Sequence, residues 1–152
     1  MAATVTEPKG KFYISTDKSK LDIDVIEDFL SKRSYWAKGR TREKIITSIE
    51  NSLCFGVYTA EGRQVGFARV LSDYAVFAWI MDIFLLEDFR KHGLGKLLMK
   101  AIMEHPDLQG LERWGLGTKD AHGLYEQFGF RKLKTPETKM EKTNLPPDFY
   151  DP

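Results

Sequence analysis

The stretch Leu85–Lys100, LLEDFRKHGLGKLLMK, places an arginine, a lysine, a histidine and two glycines between an apolar run and a helical pattern. The run before it, Ala75–Leu86, is interrupted only by Asp82. The segment after it carries Leu94, Leu97, Leu98, Ala101 and Ile102 on one helical stripe until Pro106 ends it near His105. A strand thus passes through a glycine turn directly into a helix. Glycine lets the backbone approach a ligand closely, and the first N–H groups of a helix lack partners within it. The helix dipole favours negative charge at that end by about 0.3–1 kcal/mol, so the turn suits an anion. Lys91 and Lys96 add positive charge beside it.

Three phosphate-binding patterns compete for these residues. A P-loop needs a hydroxyl after Gly-Lys, where this chain has Leu97, and a first glycine where it has Arg90. The dinucleotide fingerprint finds Gly93 and Gly95 but meets Leu98 at its third position, with no early βαβ unit around it. The third pattern, Arg/Gln-x-x-Gly-x-Gly/Ala, is complete in Arg90-Lys91-His92-Gly93-Leu94-Gly95. A later segment, Gly115–Phe130 (GLGTKDAHGLYEQFGF), sets Tyr125 a few residues before Gly129-Phe130.

On these two segments the chain resembles the GNAT superfamily of acyl-CoA-dependent N-acetyltransferases, from about Phe12 to Met140, with the part before Leu53 alike only in its order of elements. The resemblance implies that acetyl-CoA is the co-substrate, with its pyrophosphate on the backbone of Arg90, Lys91, His92, Gly93, Leu94, Gly95 and Lys96. It implies that the backbone of Ile83, Phe84 and Leu85 pairs with the pantetheine amides, where strands splay through a bulge. An N–H of Phe84 or Leu85 would then polarise the thioester carbonyl. Tyr125 is the candidate general acid, since a phenol with a pKa of about 10 keeps a proton to offer the departing thiolate. Tyr125 is also expected beside the cofactor. Many members carry an asparagine at the start of this helix; here Lys119 and Asp120 stand there, and Lys119 could reach a phosphate or the pantetheine instead.

Asp82 is the expected base or amine anchor, or else a structural carboxylate, because a buried carboxylate needs a partner. Asp73 is the alternative, although a turn aspartate explains it more simply. The acceptor pocket is expected to draw on the loop RSYWAKGR, where Tyr35 and Trp36 offer flat surface and Arg33 and Arg40 could meet a carboxylate. Arg69, Asp73 and Tyr74 are expected to face the same space. The three histidines, His92, His105 and His122, have no zinc-ligand spacing, so no metal is expected.

Around these segments the pattern reads β-α-α-β-β-β-α-β-α-β-β, an α/β (α+β) domain with a mixed, mostly antiparallel central sheet flanked by helices. Lys11–Thr16, Leu53–Tyr58, Gln64–Leu71, Val76–Leu86, Leu111–Gly117, Phe130–Lys134 and Lys139–Thr143 read as strands. Asp22 and Thr41 can cap the first two helices, and a short helix is expected from about Lys119 to Phe128. Glu61-Gly62 favours a hairpin turn. Val76–Leu86, apolar on both faces, is expected at the centre of the sheet.

A chain of 152 residues fits one domain, 1–152, with residues 1–10 loose and 144–152 a tail. Its net charge of +1 gives no bulk attraction to nucleic acid or membrane. The single cysteine, Cys54, and a start without a leader pattern lead to the expectation of a cytoplasmic protein. The partner expected is a small-molecule amine. A protein or peptide N-acetyltransferase and a non-catalytic acyl-CoA-binding module are the alternatives. The aromatic tail could pair two copies as a homodimer or cover a core edge.

Overall fold

The computed structural model describes residues 3–149. Its strands are β1 (Thr4–Thr6), β2 (Phe12–Ser15), β3 (Leu53–Thr59), β4 (Gln64–Ser72), β5 (Phe77–Leu85) and β6 (Arg113–Leu116). Its α-helices are α1 (Ile23–Glu27), α2 (Arg42–Glu50), α3 (Leu94–Glu104) and α4 (His122–Glu126). The strands form one sheet in sequence order, antiparallel except for the parallel pair β5–β6. A parallel neighbour needs a crossover, and α3 supplies it.

Local chemistry starts the helices where expected. The Asp22 and Thr41 side chains accept hydrogen bonds from the N–H groups of Val25 and Lys44 and cap α1 and α2. Beyond α1 the chain continues in a wider π-type turn over Asp28–Arg33. The β3–β4 hairpin closes at Gly62, which takes a φ of 93°.

The sheet separates two apolar cores. On one face α3 and α4 bring Leu94, Leu98, Met99, Ile102 and Tyr125 onto Phe55, Val57, Ala68, Val70, Ala78 and Ile80. On the other, α1, the π-type turn and α2 bring Ile26, Phe29, Leu30, Ile45 and Ile49 onto Cys54, Phe67 and Phe84.

β5 changes phase between these cores. Ala78 and Ile80 point into the α3 core, and ordinary alternation would send Asp82 after them. Instead Asp82 and Ile83 form a bulge, between Phe67 paired with Phe84 and Arg69 paired with Met81. Asp82 adopts a φ of 56° there. After the bulge Ile83 and Leu85 face the α3 core, whereas Phe84 crosses to the other. β5 is apolar on both faces for a different reason than central burial alone. Its outer face, with Trp79 38% exposed, borders a cleft.

Three expectations change. Residues 4–6, expected to be loose, pair with β2. The strands expected at 130–134 and 139–143 are absent among the described residues. No neighbouring strand pairs with them, and Leu133 and Met140 lie exposed. The tail from residue 150 and the first two residues lie outside the described residues. No helix among the described residues is long and apolar enough to cross a membrane.

Because Leu98 is fully buried and Met140 is 99% exposed, their truncations should differ sharply. Leu98→Ala should lower the urea unfolding free energy by about 2–5 kcal/mol. Met140→Ala should change it by less than about 0.5 kcal/mol; a large loss there would place the 139–143 segment in the sheet after all.

Candidate active site

The glycine turn is built from left-handed residues. Lys91 and Gly93 take φ of 66° and 75°, and Gly93 is the N-cap of α3 without any side-chain cap. Among the described residues the first helical bond runs from Leu97 N–H to the Gly93 carbonyl at 3.1 Å. The N–H groups of Leu94, Gly95 and Lys96 therefore face outward from the helix start. Space beside Gly93 is open, whereas a Cβ on Gly95 would lie 3.6 Å from Leu124 of α4. One glycine clears the backbone and the other lets two helices meet. A cavity of about 370 Å³ lies against the turn, lined by His92, Gly93, Leu94, Lys96, Leu97, Lys100 and Phe128 with Glu7 and Pro8. Uncapped N–H groups, a helix dipole, Lys96 and Lys100 offer donors and positive charge to this cavity, with Glu7 the one carboxylate among its lining residues.

Arg90 turns the other way. Its Nε donates to the Leu85 carbonyl at 3.1 Å, tying the turn to the end of β5. At that end Leu86 N–H bonds to Val65 of the β4 side. Strand alternation then directs the N–H of Leu85 to the opposite edge. Pairing of β5 with β6 stops at Ile80 and Leu116, so among the described residues the backbone of residues 81–85 has no strand on that edge. This is the splay expected between the two strands.

A larger cleft of about 620 Å³ opens at the splay, lined by Tyr35, Trp36, Arg40, residues 79–83, residues 116–121 and Tyr125. The loop after the π-type turn holds its own shape. Ser34 Oγ donates to the Leu30 carbonyl and accepts from Ala37 N–H, while the Ser31 hydroxyl donates to the Arg40 carbonyl. That geometry sends Trp36 and Arg40 toward the bulge. The Asp82 carboxylate, 2% exposed, accepts from Trp36 Nε1 at 3.0 Å, Arg40 Nη1 at 2.9 Å and Arg69 Nε at 2.9 Å. Arg69 Nη1 also donates to Ser52 Oγ at 2.9 Å.

Tyr125 is buried against the α3 core, with its ring edge-on to Phe130 at 6.2 Å, and borders the cleft. Its hydroxyl makes no hydrogen bond among the described residues. Burial first, then Tyr35 and Asp120, raise its pKa above the ordinary phenol value. Tyr35 stands opposite, edge-on to Trp36 at 5.1 Å; its hydroxyl accepts from Lys119 N–H at 3.2 Å, and its ring lies under the Lys119 ammonium.

The expected site residues divide accordingly. Tyr35, Trp36, Asp82, Ile83, Lys119 and Tyr125 meet at the cleft, and His92, Gly93, Leu94 and Lys96 at the turn cavity. Lys119 lies over the Tyr35 ring at the cleft. Phe84 buries its side chain by stacking on Phe29 at 4.2 Å. Arg69, expected to face substrate, lies behind Asp82. Asp73 caps the β4–β5 turn, accepting from the N–H groups of Ala75, Val76 and Phe77, which lowers its pKa. Tyr74 is exposed beside it, and neither borders the cleft. Arg33 pairs with Asp28 and Glu87 on the surface. Trp79, Met81 and Thr118 of the cleft were not anticipated; Trp79 and Met81 share the outer face of a strand whose other face is core, which was the available signal. Among the described residues no three His, Cys, Asp or Glu side chains converge as metal ligands.

Comparisons with known proteins bear on the fold. The family described as acetyltransferase (GNAT) domain matches residues 50–132. A crystal structure from Xanthomonas campestris pv. campestris, described as a candidate acetyltransferase of the GNAT family, is 47% identical. It covers 93% of this chain and 97% of its own at a TM-score of 0.85. FG08082 of Gibberella zeae, named as a candidate acetyltransferase, is 27% identical over 80% of this chain and 81% of its own. A Deinococcus radiodurans R1 structure shares the fold at a TM-score of 0.70 and 20% identity, covering 92% of this chain and 94% of its own.

Asp82→Asn should test the buried cluster. Asparagine tolerates the left-handed backbone, so the change chiefly removes charge beside two guanidinium groups. Breaking a buried pair this way should cost about 3–5 kcal/mol, a fall of roughly 6–20 °C in Tm. A melting temperature within a degree or so of the wild type would mean that the cluster does not hold the bulge.

Proposed function

The chain belongs to the GNAT family of acetyltransferases, and from that membership we propose that it moves the acetyl group of acetyl-CoA directly onto the primary amine of a small molecule. The observation that carries the proposal is Tyr125, a phenol without a hydrogen bond among the described residues, at the rim of a cleft onto which β5 opens beyond its pairing with β6.

The acetyl donor supplies a thioester, and its transfer to an amine forms a C–N bond and releases a thiolate. The turn over Arg90–Lys96 would hold the pyrophosphate through the N–H groups of Leu94, Gly95 and Lys96. The free edge of residues 81–85 would pair with the pantetheine amides. Of the two candidate N–H groups for polarising the thioester carbonyl, Leu85 is favoured, because alternation turns it away from β4. Tyr125 keeps its proton at Oη, since burial raises its pKa, and gives it to the thiolate. The amine loses its proton to water at a cleft mouth where Trp79, Lys119 and Asp120 are exposed.

Asp82 receives a positioning role here. Three side-chain donors already engage its oxygens, and it holds Trp36 and Arg40 at the cleft. Asp73, engaged by three backbone N–H groups outside the cleft, receives no role in the reaction. Direct transfer fits the state of the one thiol. Cys54 is buried, and burial pushes its pKa up to about 11, which keeps it from serving as an acetyl-carrying nucleophile.

Two measurements test the proposal. Calorimetry should show saturable binding of acetyl-CoA and desulfo-CoA but not of ATP. Tyr125→Phe should keep that binding and lower kcat by about 10²–10⁴-fold. In the wild type Tyr125 should contribute no falling limb to the pH–rate profile below about pH 10, because the protonated form is the active one and its pKa is raised. Unchanged turnover in Tyr125→Phe would remove the phenol from the mechanism.

A further inference from the structure

Resting on the acetyl-transfer reading above, we infer that the acceptor is an amino-acid-like molecule, carrying a carboxylate beside its amine and an apolar body, and that Arg40 reads the carboxylate. The charge balance at the bulge points there. One carboxylate, Asp82, is shared by two guanidinium groups, Arg40 and Arg69, so the floor of the cleft carries one excess positive charge. Arg69 cannot offer it, being buried and engaged by both Asp82 and Ser52. Arg40 can. It spends Nη1 on Asp82, its side chain remains 25% exposed, and it borders the cleft. A guanidinium has five N–H donors in a planar fork that matches a carboxylate, and four of Arg40's remain after the bond to Asp82.

At the mouth, Lys119 and Asp120 carry opposite charges and leave that excess in place. The fork is also held before any ligand arrives. The Arg40 N–H bonds to the Ala37 carbonyl, its carbonyl accepts from Ser31, and Asp82 fixes the side chain. Trp36, Trp79 and Met81 also line the cleft and suit a flat or aliphatic body. A diamine would bring like charge to this floor, and the side-chain amine of a lysine within a protein would leave Arg40 without an anion.

The test follows thiol release at fixed acetyl-CoA with L-phenylalanine and L-methionine, each against its amide and its decarboxylated amine, and with an aliphatic diamine. The acids should exceed their amides in kcat/KM by about ten- to a hundredfold. Arg40→Gln should bring the acid-to-amide ratio toward one, mainly by raising KM for the acids, with Arg40→Lys between it and the wild type. Equal wild-type kcat/KM for acid and amide, or a preference for the diamine, would overturn the inference while acetyl transfer stands. That comparison needs no variant, so it decides the matter even where Arg40→Gln disturbs the Asp82 cluster. If no amine releases thiol, calorimetry on protein saturated with desulfo-CoA separates the two readings. Binding of the acids but not of the amides would support the carboxylate site and remove acetyl transfer; no binding of any acid would overturn the carboxylate site.

Discussion

A carboxylate buried beside two guanidinium groups is tolerable only when each charge has a partner, and Asp82 meets that condition by leaving the ordinary path of its strand. Regular alternation would have pointed it at Ala78 and Ile80's side of the sheet, into the apolar core under α3. The left-handed turn at residue 82 sends it to the opposite face, where Trp36, Arg40 and Arg69 converge. A left-handed non-glycine residue costs free energy of order 1–3 kcal/mol, and it persists where the surroundings determine it. The same bulge reverses the rest of β5, placing Phe84 on Phe29, and among the described residues the outer edge of residues 81–85 has no strand.

The consequences for the site are mechanical. The loop that carries Trp36 and Arg40 is anchored at one end by its own serines and at the other by Asp82. The cleft therefore owes one wall to a loop and the facing wall to a strand, joined through one carboxylate. On the far side of the splay, Arg90 ties the glycine turn to Leu85. The proposed donor and acceptor positions are thus fixed to the two ends of a single bulged segment. Reactants held in this way would meet with little freedom left to lose.

Much of this was legible in the chain. Asp22 and Thr41 act locally on the N–H groups three residues ahead, so the helix starts could be read from residue types. Gly93 could be read as well, because the turn needs a φ that glycine adopts freely and α3 begins at the next residue. Arg69 and Asp73 could not be placed by inspection. Both are polar residues near a strand end, and only the register decides that one is buried on Asp82 while the other caps a turn. The segments 130–134 and 139–143 have strand-like patterns, yet a strand exists only with a neighbour to bond, and none is supplied among the described residues.

The sequence by itself determined the order of elements, the glycine turn and the presence of an ionisable residue in an apolar strand, since these depend on neighbours along the chain. The tertiary structure alone decided which face Asp82 occupies, which arginine it holds back and which it leaves toward the cleft. Those choices depend on residues brought together from the loop before α2, from β4 and from β5. A pairing energy between groups distant in sequence is not a property of any one segment, and it appears only once the sheet has set their register.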